Sequence, residues 1–216
     1  MMDMKVFVVG ANGQIGKQLV HLLQNSKEHT VRAMVRSKEQ AEAFKQEGIE
    51  VVVADLEGSV PDLVTAAKGC EAIVFAAGSG GHTGADKTLL VDLEGAARTI
   101  EAAQQLSVKQ FVMVSAIHAN QREKWTRIQH YMVAKHHADR LLQESGVPYT
   151  IVRPGGLLNE PAIGKISLAS DIERSTIPRA DVAEVLYEVL GKEKMYNQSF
   201  DVVSGDDSIE EAVEQF

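Results

Sequence analysis

The residues best suited to chemistry fall at two places in the chain. Gly10, Gly13 and Gly16 punctuate the stretch Lys5-Val-Phe-Val-Val-Gly-Ala-Asn-Gly-Gln-Ile-Gly16, and Tyr131 and Lys135 stand four residues apart in a later helical pattern. At the first place an apolar run meets three evenly spaced glycines and then Leu19, Val20, Leu22 and Leu23, which reads as strand, tight turn and amphipathic helix. Gly10 takes the backbone through an angle that a side chain resists. Gly13 lets the main chain approach a ligand, and Gly16 lets the helix sit close to the strand. Unpaired N–H groups and the positive dipole end of the helix suit a pyrophosphate there. The spacing is G-x-x-G-x-x-G rather than G-x-G-x-x-G. Its place between a buried strand and a helix still predicts a dinucleotide-binding turn. Gly10, Asn12, Gly13, Gln14, Ile15 and Gly16 are its contact residues.

Arg36 decides which dinucleotide. About 20 residues past such a turn, NAD-preferring proteins carry an acid for the ribose hydroxyls. Here the second strand candidate ends Met34-Val-Arg36-Ser37. A guanidinium grips a phosphate through two parallel charge-assisted bonds, and one such contact contributes about 1.5–3 kcal/mol. Ser37 adds a donor and Lys38 adds charge, so NADP is expected over NAD. Asp55 and Leu56 close the third strand, where a carboxylate can accept from an adenine amino group or simply cap the turn. Ala76, Ala77 and Gly78 close the fourth, and their small size leaves room for a ribose and pyrophosphate.

Bulk properties narrow the function classes. The chain has 216 residues and a formal net charge of −8, with pI near 5.4, so no basic face exists to drive binding to nucleic acid or an anionic membrane. Cys70 is the sole cysteine, which excludes an intrachain disulfide and fits a half-buried structural thiol, rather than a nucleophile, in a reducing compartment. The N-terminal residues lack a secretion-signal pattern and no run approaches the ~20 apolar residues of a membrane helix. The expected location is cytoplasmic. His118, His130, His136 and His137 show no metal-ligand spacing with a carboxylate, so no metal is expected. Of these, only His118, in the loop beyond Ser115, is placed to reach a substrate.

Strand and helix patterns alternate along the whole chain. Strand candidates are 4–9, 30–36, 49–54, 71–76, 109–115, 148–152 and 199–203; helical patterns lie near 14–25, 38–47, 59–68, 85–106, 125–145 and 180–190. Runs such as Val51-Val-Val-Ala lack polar alternation, as parallel strands covered on both faces do. Alternation with right-handed crossovers predicts one α/β domain over 1–216, a doubly wound parallel sheet (Rossmann fold) of strand order 3-2-1-4-5-6-7. The ligand crevice then lies beyond strands 1 and 4. The segment 154–179, rich in Gly, Pro and Ser, reads as an irregular or partly helical substrate-side region. Ser208 followed by Glu210 and Glu211 predicts a short capped terminal helix.

Several segments, taken together, resemble the short-chain dehydrogenase/reductase superfamily, in its atypical NAD(P)-binding branch allied to NAD-dependent epimerases/dehydratases. They are Gly10–Gly16, Ala76-Ala-Gly78, Val91-Asp-Leu-Glu-Gly95, Tyr131-Met-Val-Ala-Lys135, Tyr149-Thr-Ile-Val-Arg-Pro-Gly-Gly-Leu157 and Arg179-Ala-Asp-Val-Ala183. The resemblance implies that Tyr131 is the general acid or base and that Lys135 orients the nicotinamide ribose. Tyrosine ionises near pH 10, and a unit charge ~4 Å away at an effective dielectric of 20 lowers that by ~3 units at most. Lys135 with a cationic nicotinamide is expected to supply the shift. Relatives carry a serine just after strand 5, here aligned with Ala116, while the available hydroxyl is Ser115. In an extended chain one residue turns a side chain to the opposite face, so Ser115 serves as a catalytic group only if the strand has ended. Asp92 stands where many relatives have Asn; it either fixes groups near the site or caps a kinked helix. Pro154, Gly155, Gly156 and Leu157 are implied beside the nicotinamide carboxamide, and Arg153 in a structural ion pair.

The expected activity is an NADP-dependent oxidoreductase acting on an unidentified small molecule, as a monomer or homodimer. The alternatives are a non-catalytic NADP(H)-binding redox sensor or scaffold and, more weakly, a sugar epimerase or dehydratase.

Overall fold

In the computed structural model the chain is described at residues 3–81, 83–125 and 128–216. His82 lies outside the described residues, as do Met1 and Met2, and Thr126 and Arg127 of the helical pattern near 125–145.

The elements follow the alternation read from the sequence. They begin β1 (Met4–Val9), α1 (Gln14–Gln24), β2 (His29–Val35), α2 (Lys38–Gln46), β3 (Glu50–Val53), α3 (Val60–Ala67) and β4 (Ala72–Phe75). One long helical run follows, made of α4 (Ala85–Lys87), a π-helical segment (Thr88–Leu93) and α5 (Glu94–Leu106). Then come β5 (Gln110–Val114), α6 (Gln129–Glu144), β6 (Tyr149–Pro154), β7 (Gly156–Leu158), β8 (Lys165–Ala169) and β9 (Thr176–Pro178). The chain closes with α7 (Arg179–Glu188), β10 (Gln198–Ser204), β11 (Asp207–Ser208) and α8 (Ile209–Gln215). Serines cap three of the helices: Ser37, Ser59 and Ser208 each accept from the backbone N–H three residues on.

The central sheet runs β3-β2-β1-β4-β5-β6-β10-β8-β11. Its first seven strands are parallel and in the expected order, β10 being the seventh; β8 and β11 extend the edge antiparallel. Period-2 alternation splits each central strand between two cores. Val6 and Val8 face α1, α2, α7 and α8, whereas Phe7 and Val9 face α3, α5 and α6. Both faces are therefore dry, which explains the unbroken apolar runs.

The region 154–179 departs from expectation. It holds no helix up to Pro178; instead β8 joins the main sheet, and β7 pairs with β9 as a separate two-stranded sheet. Short strands there gain their hydrogen bonds from partners far along the chain, for which the local sequence carries little signal.

Candidate active site

The first turn has the conformation that its glycines predict. Gly10 has φ +82°, and a Cβ on it would lie 2.6 Å from Ala77 N, so β1 and β4 end in backbone contact. A Cβ on Gly16 would come within 2.2 Å of Gly10 O, which is why α1 packs so close to β1. Gly13 differs: its added Cβ would meet only Gly10 O at 3.1 Å, and its backbone is ordinary extended chain. It serves as the N-cap of α1 with no side-chain cap and no acid in the first turn. The helix start thus keeps its N–H donors for a ligand. Asn12, Gly13 and Gln14 are exposed, while Ile15 and Gly16 are buried beneath them. The turn lines a cleft of about 460 Å³. A glycine-floored, uncapped helix start fits a dinucleotide diphosphate.

At the tip of β2, Arg36 is exposed and among the described residues enters no ion pair. Its neighbour Arg32 is already committed to Glu50 and to the carbonyls of Ala66 and Lys68. Ser37 is occupied as the α2 cap, accepting from Gln40 N at 3.3 Å. Asp55 uses Oδ1 to accept from Glu57 N at 3.0 Å, the turn role weighed against adenine binding. Leu56 is buried against Gly95, and Ala76, Ala77 and Gly78 close β4 beside Gly10.

Tyr131 and Lys135 share one face of α6, and Asp139 continues it one turn on. Lys135 Nζ lies 5.5 Å from the centre of the Tyr131 ring. It also donates to Val114 O at 3.2 Å and sits 3.2 Å from Asp92 Oδ1. Asp92 comes from the π-helical segment, and its other oxygen accepts from Ser79 N at 3.0 Å. A π turn inside a helix rotates the following residues off the regular face and recurs at functional sites. Here it carries a carboxylate that ties the end of β4 to α6. Of the roles expected for Asp92, it fixes the backbone at Ser79 and also lies in an irregular helical turn.

Lys135 acts on Tyr131 in the expected direction, but burial acts against it. Burial pushes the Tyr131 phenol above its ordinary value; Lys135 opposes this, and Asp92 and Asp139 reinforce it. The ammonium of Lys135 also stays above its ordinary value: burial works against it, but Tyr131 and Asp92 outweigh burial. Burial, helped by Asp92 and Asp139, therefore outweighs the lysine at Tyr131. Phenol and ammonium both keep their protons through neutrality.

Ser115 directly follows Val114, whose carbonyl accepts from Lys135. β5 ends at Val114, yet Ser115 N still bonds Val152 O at 2.8 Å, so the extended geometry continues past the strand's end. The hydroxyl is buried and faces Asp139 closely enough to favour its ionised form, although neither Ser115 Oγ nor Asp139 Oδ1 meets hydrogen-bond geometry. Asp139 is eight residues from Tyr131, about 12 Å along the helix axis. Asp139 in turn accepts from Arg153 at 2.8 Å through Oδ2. That is the structural ion pair expected for Arg153. Burial holds the Asp139 carboxyl above its usual range despite the guanidinium.

His118 is buried in a left-handed conformation (φ +63°), with Nε2 2.7 Å from Ile172 O. Its ring lies 3.7 Å from Asp171 and 3.9 Å from Asp201, a His–Asp–Asp group that the sequence reading missed because its members are 53 and 30 residues apart. Asp171 is already paired with Lys124 at 2.6 Å. His136 bonds Ala119 O through Nδ1. Ile128 opens α6 at φ +49°, an unfavourable angle for a β-branched residue and one turn ahead of Tyr131. Beyond β6, Pro154 and Gly155 are buried and Gly156 and Leu157 half-buried, with Gly156 N bonded to Ser175 O at 2.8 Å.

A doubly wound sheet with this turn and this helix pair defines a nucleotide-binding α/β protein. The NAD(P)H-binding family matches residues 10–193, and the chain belongs to it, within the atypical short-chain dehydrogenase/reductase, epimerase-like group. It is 53% identical over 213 residues to the uncharacterized sugar epimerase YhfK of Bacillus subtilis, covering 98% of this chain and 100% of that one. Sanguinarine reductase of Eschscholzia californica is 32% identical over 135 residues, covering 58% of this chain and 50% of the relative. Among solved structures, a Bacillus halodurans protein described as a candidate NAD-dependent epimerase/dehydratase superposes with a TM-score of 0.92 at 42% identity, covering 99% of this chain and all of that one. No helix among the described residues is long and apolar enough to cross a membrane.

Proposed function

We propose that the chain is an NADP-dependent oxidoreductase that works as a reductase on a small molecule bearing a carbonyl or an equivalent electron-poor double bond. The observation that carries this reading is the Tyr131–Lys135–Asp92 arrangement beside an open diphosphate turn. The nicotinamide, when bound, supplies the hydride. Arg36 grips the 2′-phosphate, and the α1 start with Gly13 holds the diphosphate. Lys135, fixed by Val114 O and Asp92, presents its remaining donor to the nicotinamide ribose. Tyr131 stays a neutral phenol at neutral pH and donates its proton to the substrate atom that gains negative charge. The high phenol pKa favours the donor role over that of a base. Asp55 and Leu56 border the adenine, and Pro154–Leu157 cover the nicotinamide.

The test is single-turnover oxidation of NADPH against a panel of aldehydes, quinones and flavins. A positioned proton donor contributes about 10²–10⁴ in rate, so Tyr131→Phe is expected to lose that much while retaining NADPH affinity. Unchanged turnover in Tyr131→Phe would remove the assigned role. One observation favours a second reading: Ala116 stands at the usual serine position, and the Ser115 hydroxyl has no hydrogen-bond partner among the described residues. A redox sensor would bind NADP and NADPH with unequal affinity and turn over nothing on the panel.

A further inference from the structure

The cleft at the glycine turn has an opposite wall. Asn12, Gly13, Gln14 and Lys17 of the turn and α1 face Leu158–Glu160 and the first residues of α7 across about 460 Å³. Arg179 opens α7, half-buried, and donates through Nη1 to Asn159 Oδ1 at 2.8 Å. Among the described residues neither Arg179 nor Lys17 enters an ion pair, and His21, further along the groove, is answered by Glu47 at 2.7 Å. Glu160 also lines the cleft, but it is exposed.

The Arg179 wall is rigidly held. Asp181, fully buried, accepts from Ile163 N and Gly164 N at 2.9–3.0 Å and so locks the chain beyond Asn159 onto α7. A guanidinium with an amide holding one nitrogen and no carboxylate partner has its other donors free for a planar anion. The main-chain N–H groups at the start of α1 form the facing wall.

We propose that Arg179, oriented by Asn159, is a second anion-binding arm that closes on the diphosphate of the dinucleotide from the side opposite the glycine turn. The proposal rests on the dinucleotide reading of the site. It divides the labour between two arginines at opposite ends of the cofactor: Arg36 reads the 2′-phosphate and Arg179 neutralises the diphosphate.

Calorimetric titration with NADPH, NADH, ADP-ribose and adenosine 2′-monophosphate separates the two. A charge-assisted contact corresponds to about tenfold to a hundredfold in affinity. Arg179→Met is expected to weaken NADPH, NADH and ADP-ribose by that same factor and to leave adenosine 2′-monophosphate unchanged. Arg36→Met gives the complementary pattern, weakening only the two ligands that carry a 2′-phosphate. Lys17→Met, which removes a charge from the same cleft without the fork, changes any of them by less than about threefold. If Arg179→Met is destabilised, Asn159→Ala frees the guanidinium and gives the same pattern at smaller amplitude. Wild-type affinity for ADP-ribose in Arg179→Met, or an equal loss in Lys17→Met, overturns the proposal. Failure of the wild-type chain to bind any dinucleotide overturns the cofactor reading beneath it.

Discussion

Asp92→Asn tests the charge balance of the site directly. The carboxylate and its lysine are almost fully buried, with side-chain exposures of 1% and 4% and 3.2 Å between Oδ1 and Nζ. Asparagine keeps an oxygen for Ser79 N but leaves a buried ammonium without a counter-charge. Breaking a buried pair in this way costs about 3–5 kcal/mol. In a domain of this size each kcal/mol moves the melting temperature by about 2–4 °C, so the expected fall is roughly 6–20 °C at neutral pH. The sign with pH follows from Lys135, whose folded pKa is raised. Its stabilisation is complete below the ordinary lysine value near pH 10.5 and is lost as pH rises through the folded value. The gap between wild type and variant is therefore full while both lysines are protonated and narrows as rising pH deprotonates first the variant's unpaired ammonium and then the wild type's. A second readout is the phenol, since Asp92 is one of the groups that hold it up. Removing that charge moves the Tyr131 titration downward. Calorimetry gives the melting temperatures. Ultraviolet tyrosinate absorbance, with Tyr131→Phe subtracted, gives the titration. A melting temperature within about 2 °C of wild type together with an unmoved Tyr131 titration refutes the reasoning.

Three further outcomes follow from the same geometry. Gly13→Ala leaves stability within about 1 kcal/mol, since its Cβ meets one carbonyl oxygen at 3.1 Å, but it weakens NADPH binding; Gly16→Ala, with 2.2 Å to the same oxygen, loses at least ~1–3 kcal/mol in urea melts. Asp201→Asn is more stable than wild type at pH 7 and equal to it below about pH 4, because burial raises the Asp201 carboxyl and a raised acid costs stability only above its unfolded pKa. Cys70 reacts with a thiol reagent only after unfolding, being buried with its thiol pushed up by desolvation.

Much of the frame was legible because it rests on local rules. The β1–α1 turn followed from three glycines, and two of them, Gly10 and Gly16, are required by backbone contacts with Ala77 N and Gly10 O. The order of the seven parallel strands followed from alternation and crossover handedness, and the α8 cap from Ser208. What escaped was long-range. β8 is a five-residue strand that owes its place to β10, some 30 residues later, and β7 and β9 pair only with each other. The π-helical segment has no sequence signature, yet it carries Asp92 to Lys135. Asp139 was overlooked although it lies on the same helical face as Tyr131 and Lys135, four residues past the lysine. Arg179 carries no local signal for a role at the glycine turn, because its relation to that turn arises from the packing of α7 against α1.

The central claim is that the turn at Gly10–Gly16 holds a dinucleotide whose 2′-phosphate is gripped by Arg36. Side-by-side calorimetric titration of the wild-type chain with NADPH and NADH tests it most directly. The account predicts that both bind, NADPH more tightly by about tenfold to a hundredfold, and that Arg36→Met erases the difference. No heat from either nucleotide, or equal affinity for both in the wild type, contradicts it.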